Sequence, residues 1–385
     1  MRMMTNMELQ KNKVLLGLSG GVDSATAALL LKEKGYEVTG YYFDVLGTNE
    51  QGKADAMALA EQLGIELITE DVSAEFKDIV IANFIDEYMH GRTPNPCIIC
   101  NPNIKFKRLI AHANEIGAYY IATGHYARVT EDENGNSYVT RAYNQAKDQS
   151  YMLYRLGQDV LSRLIFPLGE FADKEETRSL ARDNGLVNAD KKDSQEICFI
   201  DPEEGYAAYI ERAGYSSHPG DFVDKDGCVL GEHQGILNYT IGQRKGLGIA
   251  LGRPAFVTKI DPVRNEVTLG ENEDLFNSKV VSKDNFFTAG KPEDYDGKTF
   301  VAKTRYTARQ DEAVITIKRV TGTQHTACDN NSCSCAEAAT DADYIVVAEF
   351  KNPQRAATPG QSIVFYDGDR VIGGGFIAES TNKIK

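Results

Sequence analysis

The chain has 385 residues, 42% of them apolar and 25% charged, an ordinary globular composition long enough for two or three domains. Its 42 basic and 56 acidic residues give a net charge of −14. Taken alone, that charge argues against a general nucleic-acid coat or a polybasic membrane binder. Seven scattered cysteines, and no apolar signal-like core in MRMMTNMELQ, predict a reduced, cytoplasmic protein. The long apolar run Val14 to Leu31 contains Ser19, Gly20, Gly21, Asp23 and Ser24, which is wrong for a membrane span.

In chain order, KVLLGLS predicts a buried strand and Ser24 to Lys34 a helix ended by Gly35. A strand over Glu37 to Phe43, a helix over Ala54 to Leu63 stopped by Gly64, and a strand over Glu66 to Thr69 follow. Helices are expected near Glu75 to Met89 and over Ile104 to Ile116, then a strand over Tyr119 to Thr123. Asn134-Gly135 between alternating residues predicts a hairpin inserted on that sheet. After Phe166-Pro167-Leu168 comes a helix with Asp173 as N-cap, Glu176 three residues on and Gly185 as stop. The fold class is therefore α/β with a doubly wound parallel sheet, expected over residues 1–204. A glycine-rich segment short of helix, 205–272, forms a small central domain. From about residue 275, FVAKTRY, AVITIKRV, DYIVVAEF, SIVFYDG and RVIGGGF predict a small barrel or sandwich over 273–385.

Two groups of residues carry chemistry. Ser19-Gly20-Gly21-Val22-Asp23-Ser24 sits in the first strand-to-helix turn, where glycines admit a phosphate to the backbone N–H groups and the helix dipole. Asp23 is suited to orient Mg²⁺ or a phosphate-bound water. No lysine follows the glycines, so this is not the Walker pattern. Gly91-Arg92-Thr93-Pro94-Asn95-Pro96-Cys97-Ile98-Ile99-Cys100 predicts an extended loop that presents Cys100 near a helix N-terminus. There the dipole, Lys105, Lys107 and Arg108 are expected to lower its thiol pKa. Cys198, preceded by Lys191 and Lys192, is a second reactive candidate, while Cys228 reads as a small buried hydrophobe. His325, Cys328, Cys333 and Cys335 have zinc-ligand chemistry but not finger spacing, so an exposed loop with free thiols and no metal is expected.

SGGVDS resembles the PP-loop ATP pyrophosphatases, which cleave ATP between the α- and β-phosphates and pass AMP to a carbonyl-like oxygen. GRTPNPCIICN, TGHYAR (Thr123 to Arg128), KDQSYMLY (Lys147 to Tyr154), DSQEICFI, YTIGQRKGLGI and TPGQSIVFY with GGGFI resemble bacterial tRNA-specific 2-thiouridylases. They occur in the family's order from Ser19 to about Ile377. The resemblance implies a PP-loop catalytic domain, a small central tRNA-contacting domain and a C-terminal β-barrel. It implies ATP and Mg²⁺, a tRNA substrate, and a persulfide donor or relay protein as partner. Gly17, Leu18 and Ser19 to Ser24 would hold ATP, with Phe43 beside the base and Gly124 near the ribose or α-phosphate. Asn95, Pro96 and Cys97 match the loop that meets the target base, and Lys147, Asp148, Gln149, Arg305 and Tyr306 match tRNA contacts. Cys198 matches the persulfide carrier and Cys100 the nucleophile or resolving thiol; the two end as a disulfide opened by an external reductant. Cys97 departs from the aspartate of many members. That leaves two readings open, a proton-shuttling thiol or a [4Fe–4S] cluster on Cys97, Cys100 and Cys198.

Two other classes compete with an RNA-modifying transferase. A small-molecule synthetase of the same loop family predicts no cysteine pair and no basic surface, and a non-catalytic RNA binder predicts no ATP chemistry. Charge patterning bears on this choice. Gly91 to Arg108, Gly235 to Arg253 and Lys298 to Arg309 contain no acid and together carry +11, leaving −25 elsewhere. A basic face on an acidic body is expected if the three windows lie together.

Overall fold

A computed structural model of the chain describes residues 9–189, 197–201, 203–320 and 344–381. Lys191, Lys192, the DSQE half of DSQEICFI, and the group of His325, Cys328, Cys333 and Cys335 lie outside the described residues.

The first domain is built on strands β1 (Gln10–Gly17), β2 (Glu37–Asp44), β3 (Glu66–Asp71) and β4 (Ala118–Thr123). A hairpin, β5 (Ala127–Glu131) and β6 (Ser137–Arg141), precedes the short β7 (Leu164–Ile165). The sheet order is β3-β2-β1-β4-β7 and every pairing is parallel, as the strand–helix alternation predicts. Alternate residues of β1 serve opposite layers: Val14 and Leu16 pack in one core, Leu15 in the other, all fully buried. Each such Val or Leu contributes about 1.5–3 kcal/mol of apolar burial. Strand order reverses on either side of β1, so the crevice beyond its carboxyl end is the topological switch point where ligands of such sheets bind.

Helices α1 (Val22–Glu33) and α2 (Glu50–Leu63) follow β1 and β2. Two helices are interrupted by π turns. Ser73–Phe76 (α3) passes through Lys77–Ile81 into Ala82–Met89 (α4), and Pro96–Cys100 (α5) passes through Asn101–Lys105 into Phe106–Glu115 (α6). The second interruption has a local cause, because Pro102 has no N–H for the i−4 carbonyl and its ring crowds that turn. The short α7 (Gln158–Leu161) precedes β7, and α8 (Lys174–Asp183) starts as the sequence predicts, with the Asp173 side chain accepting from Glu176 N at 2.8 Å.

The central segment opens with α9 (Gly205–Arg212), whose Ile210 packs with Phe76, Phe84 and Phe199 of the first domain. It continues as a four-stranded sheet of β8 (Gly220–Val223), β9 (Val229–His233), β10 (Phe256–Asp261) and β11 (Glu266–Gly270), order β10-β11-β8-β9. The C-terminal strands are β12 (Phe276–Phe287), β13 (Thr299–Lys303), β14 (Asp311–Arg319), β15 (Tyr344–Arg355), β16 (Ser362–Asp367) and β17 (Arg370–Thr381). They pair in the order β12-β15-β14-β13-β16-β17 and close through β12–β17 into a six-stranded barrel.

Two features differ from expectation. The Asn134-Gly135 hairpin does not join the parallel sheet. Its β6 pairs with β17, Thr140 opposite Arg370, so it extends the barrel sheet. The barrel also needs β12, which sequence reading missed. Its run FNSKVVSKDNFF is broken by polar residues and by a register shift near Asp284, a positive-φ residue at +47°.

Candidate active site in the switch-point crevice

The SGGVDS loop turns from β1 into α1 at the switch point. Gly20 takes φ +72°, and a Cβ there would meet Ala56 N and Asp55 Cβ at 3.0 Å, so only glycine fits. Gly21 is the N-cap of α1 and no side chain caps it, which leaves the first N–H groups for an anion. Ser24 Oγ bonds Gly21 O at 3.1 Å and receives Ser19 N at 3.2 Å, tying the loop across itself. Val22 and Leu18 are buried beneath it. Gly124, after β4, comes so close that a Cβ would lie 2.9 Å from Asp23 C and Ser24 N. A Cβ on Gly17 would meet Phe43 at 3.4 Å and Thr123 at 3.5 Å, so Gly17, Phe43 and Gly124 gather on one wall.

Asp23 is not a vacant metal ligand. Both its oxygens lie 2.7 Å from Lys174 Nζ, and Tyr126 Oη donates to Oδ1 at 2.9 Å. Thr177 secures this arrangement, accepting from Thr26 Oγ1 at 3.3 Å through its carbonyl and pairing its hydroxyl with Tyr126 Oη at 2.9 Å. Asn188 Nδ2 donates to Gly20 O at 3.0 Å from the other side. Sequence reasoning missed Lys174, Tyr126 and Asn188. The available signal was Lys174 itself, a cation at the first position of a helix, where the dipole favours acids.

The cysteine segment is helical where an extended loop was expected. Asn95 caps α5 by accepting Cys97 N at 3.2 Å, and Pro96 occupies the first turn. Cys100 consequently sits inside a helical run and packs against the core of Phe76, Phe84, Ile104 and Phe199, which Phe43 and Ile197 also flank. The expected low thiol pKa is overturned. Burial pushes the Cys100 thiol up, and Lys105 only partly opposes it. Lys107 and Arg108 are spent elsewhere, on Glu75 at 2.9 Å each, with Arg108 also 3.3 Å from Glu70. Cys198 is exposed as a residue, yet burial of its thiol, then Cys100 and Cys97 nearby, push it up to about 12. Cys198 therefore converges with Cys97 and Cys100 from far along the sequence, and like charge resists more than one thiolate among them.

Lys105 links these thiols to the nucleotide loop. Its charge reaches Cys100, Cys198 and His125. His125, whose Nδ1 is 2.7 Å from Thr123 Oγ1, is held neutral, well below the usual histidine range, by burial and then by Lys105. Cys228 lies outside this group and is exposed, not buried as expected, because its turn is closed by Asp224 Oδ1 accepting Cys228 N at 2.9 Å. Among the described residues no group of three or more His, Cys, Asp or Glu side chains is placed to hold a metal. Cys97, Cys100 and Cys198 form no such group as they stand.

The GRTPN loop lies where all three domains meet. Thr93 N donates to Pro359 O at 2.9 Å and Gln361 Nε2 to Thr93 O at 2.8 Å, while a Cβ on Gly91 would meet Ile260 at 2.8 Å. A cavity of about 380 Å³ opens there, lined by Pro94, Asn95, Ile99, Lys283, Gly360 and Phe376. A larger one of about 550 Å³ lies between the hairpin and the barrel and contains none of the predicted site residues. The distance from the chemistry makes the smaller cavity the relevant one.

KDQSYMLY joins domains. Tyr151 Oη donates to Ser362 O at 2.8 Å, Tyr154 Oη pairs with Ser362 Oγ at 3.1 Å, and Gly374 admits the Tyr154 ring, which a Cβ would meet at 3.0 Å. Asp148 is buried and accepts Ala142 N at 3.1 Å, Ser150 N at 3.2 Å and Ser150 Oγ at 2.8 Å. Gln149 Oε1 accepts Tyr126 N at 2.9 Å. These two side chains face inward, whereas Lys147 is half-buried nearby. Tyr306 packs 6.3 Å from Tyr151, and Lys303 lies 5.8 Å from the Tyr306 ring. Burial lowers the Lys303 pKa, with Asp148 opposing.

The charge windows are weaker than their sum. Arg92 is bound by Glu87 at 2.8 and 2.7 Å, Lys107 and Arg108 by Glu75, and Arg253 by Glu271 at 2.6 Å. Arg244, Lys245, Lys298 and Arg309 are exposed, and with half-buried Arg305 they enter no salt bridge among the described residues.

Fold and site together define an α/β nucleotide-binding domain of the HUP type followed by two β modules. Family models described as tRNA methyl transferase HUP domain, tRNA methyl transferase PRC-barrel domain and aminomethyltransferase beta-barrel domain match residues 12–202, 208–271 and 323–377. The chain is 46% identical to tRNA-specific 2-thiouridylase MnmA 1 of Caldanaerobacter subterraneus subsp. tengcongensis, covering 95% of this chain and 98% of that one. It is 44% identical to tRNA-specific 2-thiouridylase MnmA of Lachnoclostridium phytofermentans (95% and 99% covered) and 43% identical to that of Clostridium acetobutylicum (95% and 99%). The chain belongs to the tRNA-specific 2-thiouridylase family. The relatives' name, rather than the methyl transferase of the domain descriptions, agrees with a site built from thiols beside an SGGVDS loop.

Proposed function

We propose that the chain catalyses ATP-dependent 2-thiolation of the wobble uridine in tRNA anticodons. The observation that carries this reading is the convergence of Cys100 and Cys198 with Lys105, on a cluster that Phe43 joins from the side facing Gly17. A uridine C2 oxygen is a poor leaving group. Attack of that oxygen on the α-phosphorus of ATP expels pyrophosphate and converts the oxygen into AMP, a good one. Gly20, Gly21 and the first N–H groups of α1 receive the phosphates, with Phe43 and Gly124 along the nucleoside. Mg²⁺, when bound, would neutralise phosphate charge, and Asp23 is the loop carboxylate that would hold it once released from Lys174.

Sulfur reaches C2 by exchange at the thiols. Cys198 carries the persulfide. Attack by the Cys100 thiolate on its inner sulfur forms the Cys100–Cys198 disulfide and releases hydrosulfide. Hydrosulfide adds at C2 and AMP leaves with the original oxygen. An external reductant restores the two thiols. Both resting thiols are protonated at neutral pH, so Cys100 attack requires loss of its proton, and Lys105 is the cation that favours the thiolate. Asn95 borders the cavity that receives the base, with Pro96 and Cys97 following it in the first turn of α5, and Arg305 and Tyr306 offer a cation and a ring to an unstacked anticodon nucleotide.

The test is anaerobic incubation with ATP, Mg²⁺, unmodified tRNA and a persulfide donor, scored as 2-thiouridine. Cys198→Ser with full turnover would remove Cys198 as sulfur carrier. Iron measured on anaerobically purified, active protein addresses the cluster alternative, and full activity without iron is expected. ATP–pyrophosphate exchange that proceeds without tRNA would favour a small-molecule synthetase.

A further inference from the structure

The loop that receives the phosphates contains no cation. Ser19 to Ser24 offers N–H groups, hydroxyls and the carboxylate of Asp23, and no lysine follows the glycines. Yet the reaction proposed above expels pyrophosphate, a leaving group that accumulates charge as the bond to the α-phosphorus breaks. A cation next to the loop is what such a site needs.

We propose that Lys174 is that cation: it grips the β- and γ-phosphates of ATP and the departing pyrophosphate, and in the nucleotide-free protein it is parked on Asp23. The inference rests on the ATP chemistry proposed above.

Four observations converge on it. Lys174 Nζ lies 2.7 Å from each oxygen of Asp23, in the first turn of α1. Its side chain is only 13% exposed and runs beside the Tyr126 ring, 5.5 Å from the centroid, so it is aimed inward rather than at solvent. It occupies the first position of α8, where the helix dipole disfavours a cation. And α8 is fixed to the loop's own helix by Thr26, Thr177 and Tyr126, so the ammonium is delivered by a rigid element.

The exchange of partners follows from charge. The β- and γ-phosphates carry more negative charge than the single Asp23 carboxylate and compete with it for the ammonium. A lysine stem spans that change by rotation about its own bonds while α8 stays in place. No proton moves: Lys174 stays an ammonium, the bond from the α-phosphorus to the bridging oxygen breaks, and pyrophosphate leaves with its electron pair against that ammonium.

The test compares ligands that differ in phosphate number. Binding of ATP, AMP and inorganic pyrophosphate, each with Mg²⁺, is measured by calorimetry on the full chain and on Lys174→Gln and Lys174→Arg. For Lys174→Gln the expected result is a loss of ATP and pyrophosphate affinity of about 10-fold or more, with AMP affinity within about 2-fold of the parent. Lys174→Arg keeps most of the ATP affinity. Exchange of labelled pyrophosphate into ATP in the presence of tRNA falls with Lys174→Gln by about 100-fold or more. Equal loss of AMP and ATP affinity would mean that Lys174 only shapes the loop, and unchanged ATP affinity would mean that it does not reach the phosphates; either overturns the proposal. A parent protein that binds neither ATP nor AMP would instead sink the ATP reading itself.

Discussion

Gly124→Ala tests whether β4 and the SGGVDS loop together form the nucleotide site. The added methyl would lie 2.9 Å from Asp23 C and 2.9 Å from Ser24 N, both backbone atoms. Carbon contacts settle at about 3.5–4.0 Å, so the loop and the end of β4 must part by roughly 0.6–1 Å. Neither side has slack. Ser24 Oγ is held by Gly21 O at 3.1 Å and Ser19 N at 3.2 Å, and Thr123 is buried in register with Gly17. Overpacking of this kind costs about 1–3 kcal/mol of stability, which a chain with five apolar cores tolerates. Misplacement of a site by about 1 Å costs on the order of 100-fold in rate. The expected outcome is a folded protein whose ATP–pyrophosphate exchange falls about 100-fold, read beside its thermal unfolding curve. Gly21→Ala is the contrast. Its φ is −92° and its Cβ would meet only Ser19 Oγ at 3.4 Å, so it keeps stability and loses ATP solely where the phosphate itself approaches. Gly124→Ala with parental ATP affinity and exchange would refute the placement of Gly124 at the site.

Four further outcomes follow from the same geometry. With its thiol pushed up to about 12, Cys198 should be alkylated by iodoacetamide at pH 8 about 10³-fold more slowly than a free thiol. Its rate should still be climbing above pH 10, and Cys100→Ser should raise the rate at pH 9; a plateau near pH 8.5 would contradict the burial argument. Because the folded thiol resists ionisation, its stabilising contribution is complete below about pH 8.5, the unfolded value, and is lost as pH rises toward 12. His125 acts in the opposite direction: its pKa is depressed, so stability is retained above about pH 6.5 and declines as pH falls, which urea unfolding at pH 5 and pH 7 would register. Asp148→Ala strips buried Ala142 N, Ser150 N and Ser150 Oγ of their acceptor and should cost about 3–5 kcal/mol in urea unfolding, whereas an exposed RNA contact would cost almost nothing. Replacing Arg244 and Lys245 with Ala should reduce the salt slope of tRNA binding by about 1–2, while Lys107→Ala, already neutralised by Glu75, should leave it unchanged.

The nucleotide half of the site was legible because its signal is local. A strand, Gly20-Gly21 and a helix lie within a few residues, and the turn between β1 and α1 forms where they predict. The N-cap Asp173 and the stop at Gly185 were equally readable. Thiol acidity was not, because it depends on what packs around Cys100, and Phe43 and Phe199 arrive from distant strands and turns. Charge counting failed for the same reason: Arg108 is basic in sequence, but Glu70 and Glu75 reach it from β3 and α3. The inward turn of Asp148 and Gln149 could not be read from KDQSYMLY, since their partners Tyr126 and Ala142 are fixed by the hairpin.

That hairpin has a consequence for synthesis. Thr140 pairs with Arg370, so β6 leaves the ribosome roughly 230 residues before the strand it needs. At about 5–20 residues per second, the interval is roughly 12–46 seconds. The first domain can complete its parallel sheet in that time, but the edge of β6 has no neighbour until β17 arrives. The nascent chain thus exposes one unpaired edge of Ser137–Arg141, every residue of which is buried in the finished protein. Slowing of translation between the central sheet and the barrel would lengthen that exposure. The resulting misassembly would join β6 to β6 of a second nascent chain, a hazard created by the same hairpin that sets the barrel against the nucleotide domain.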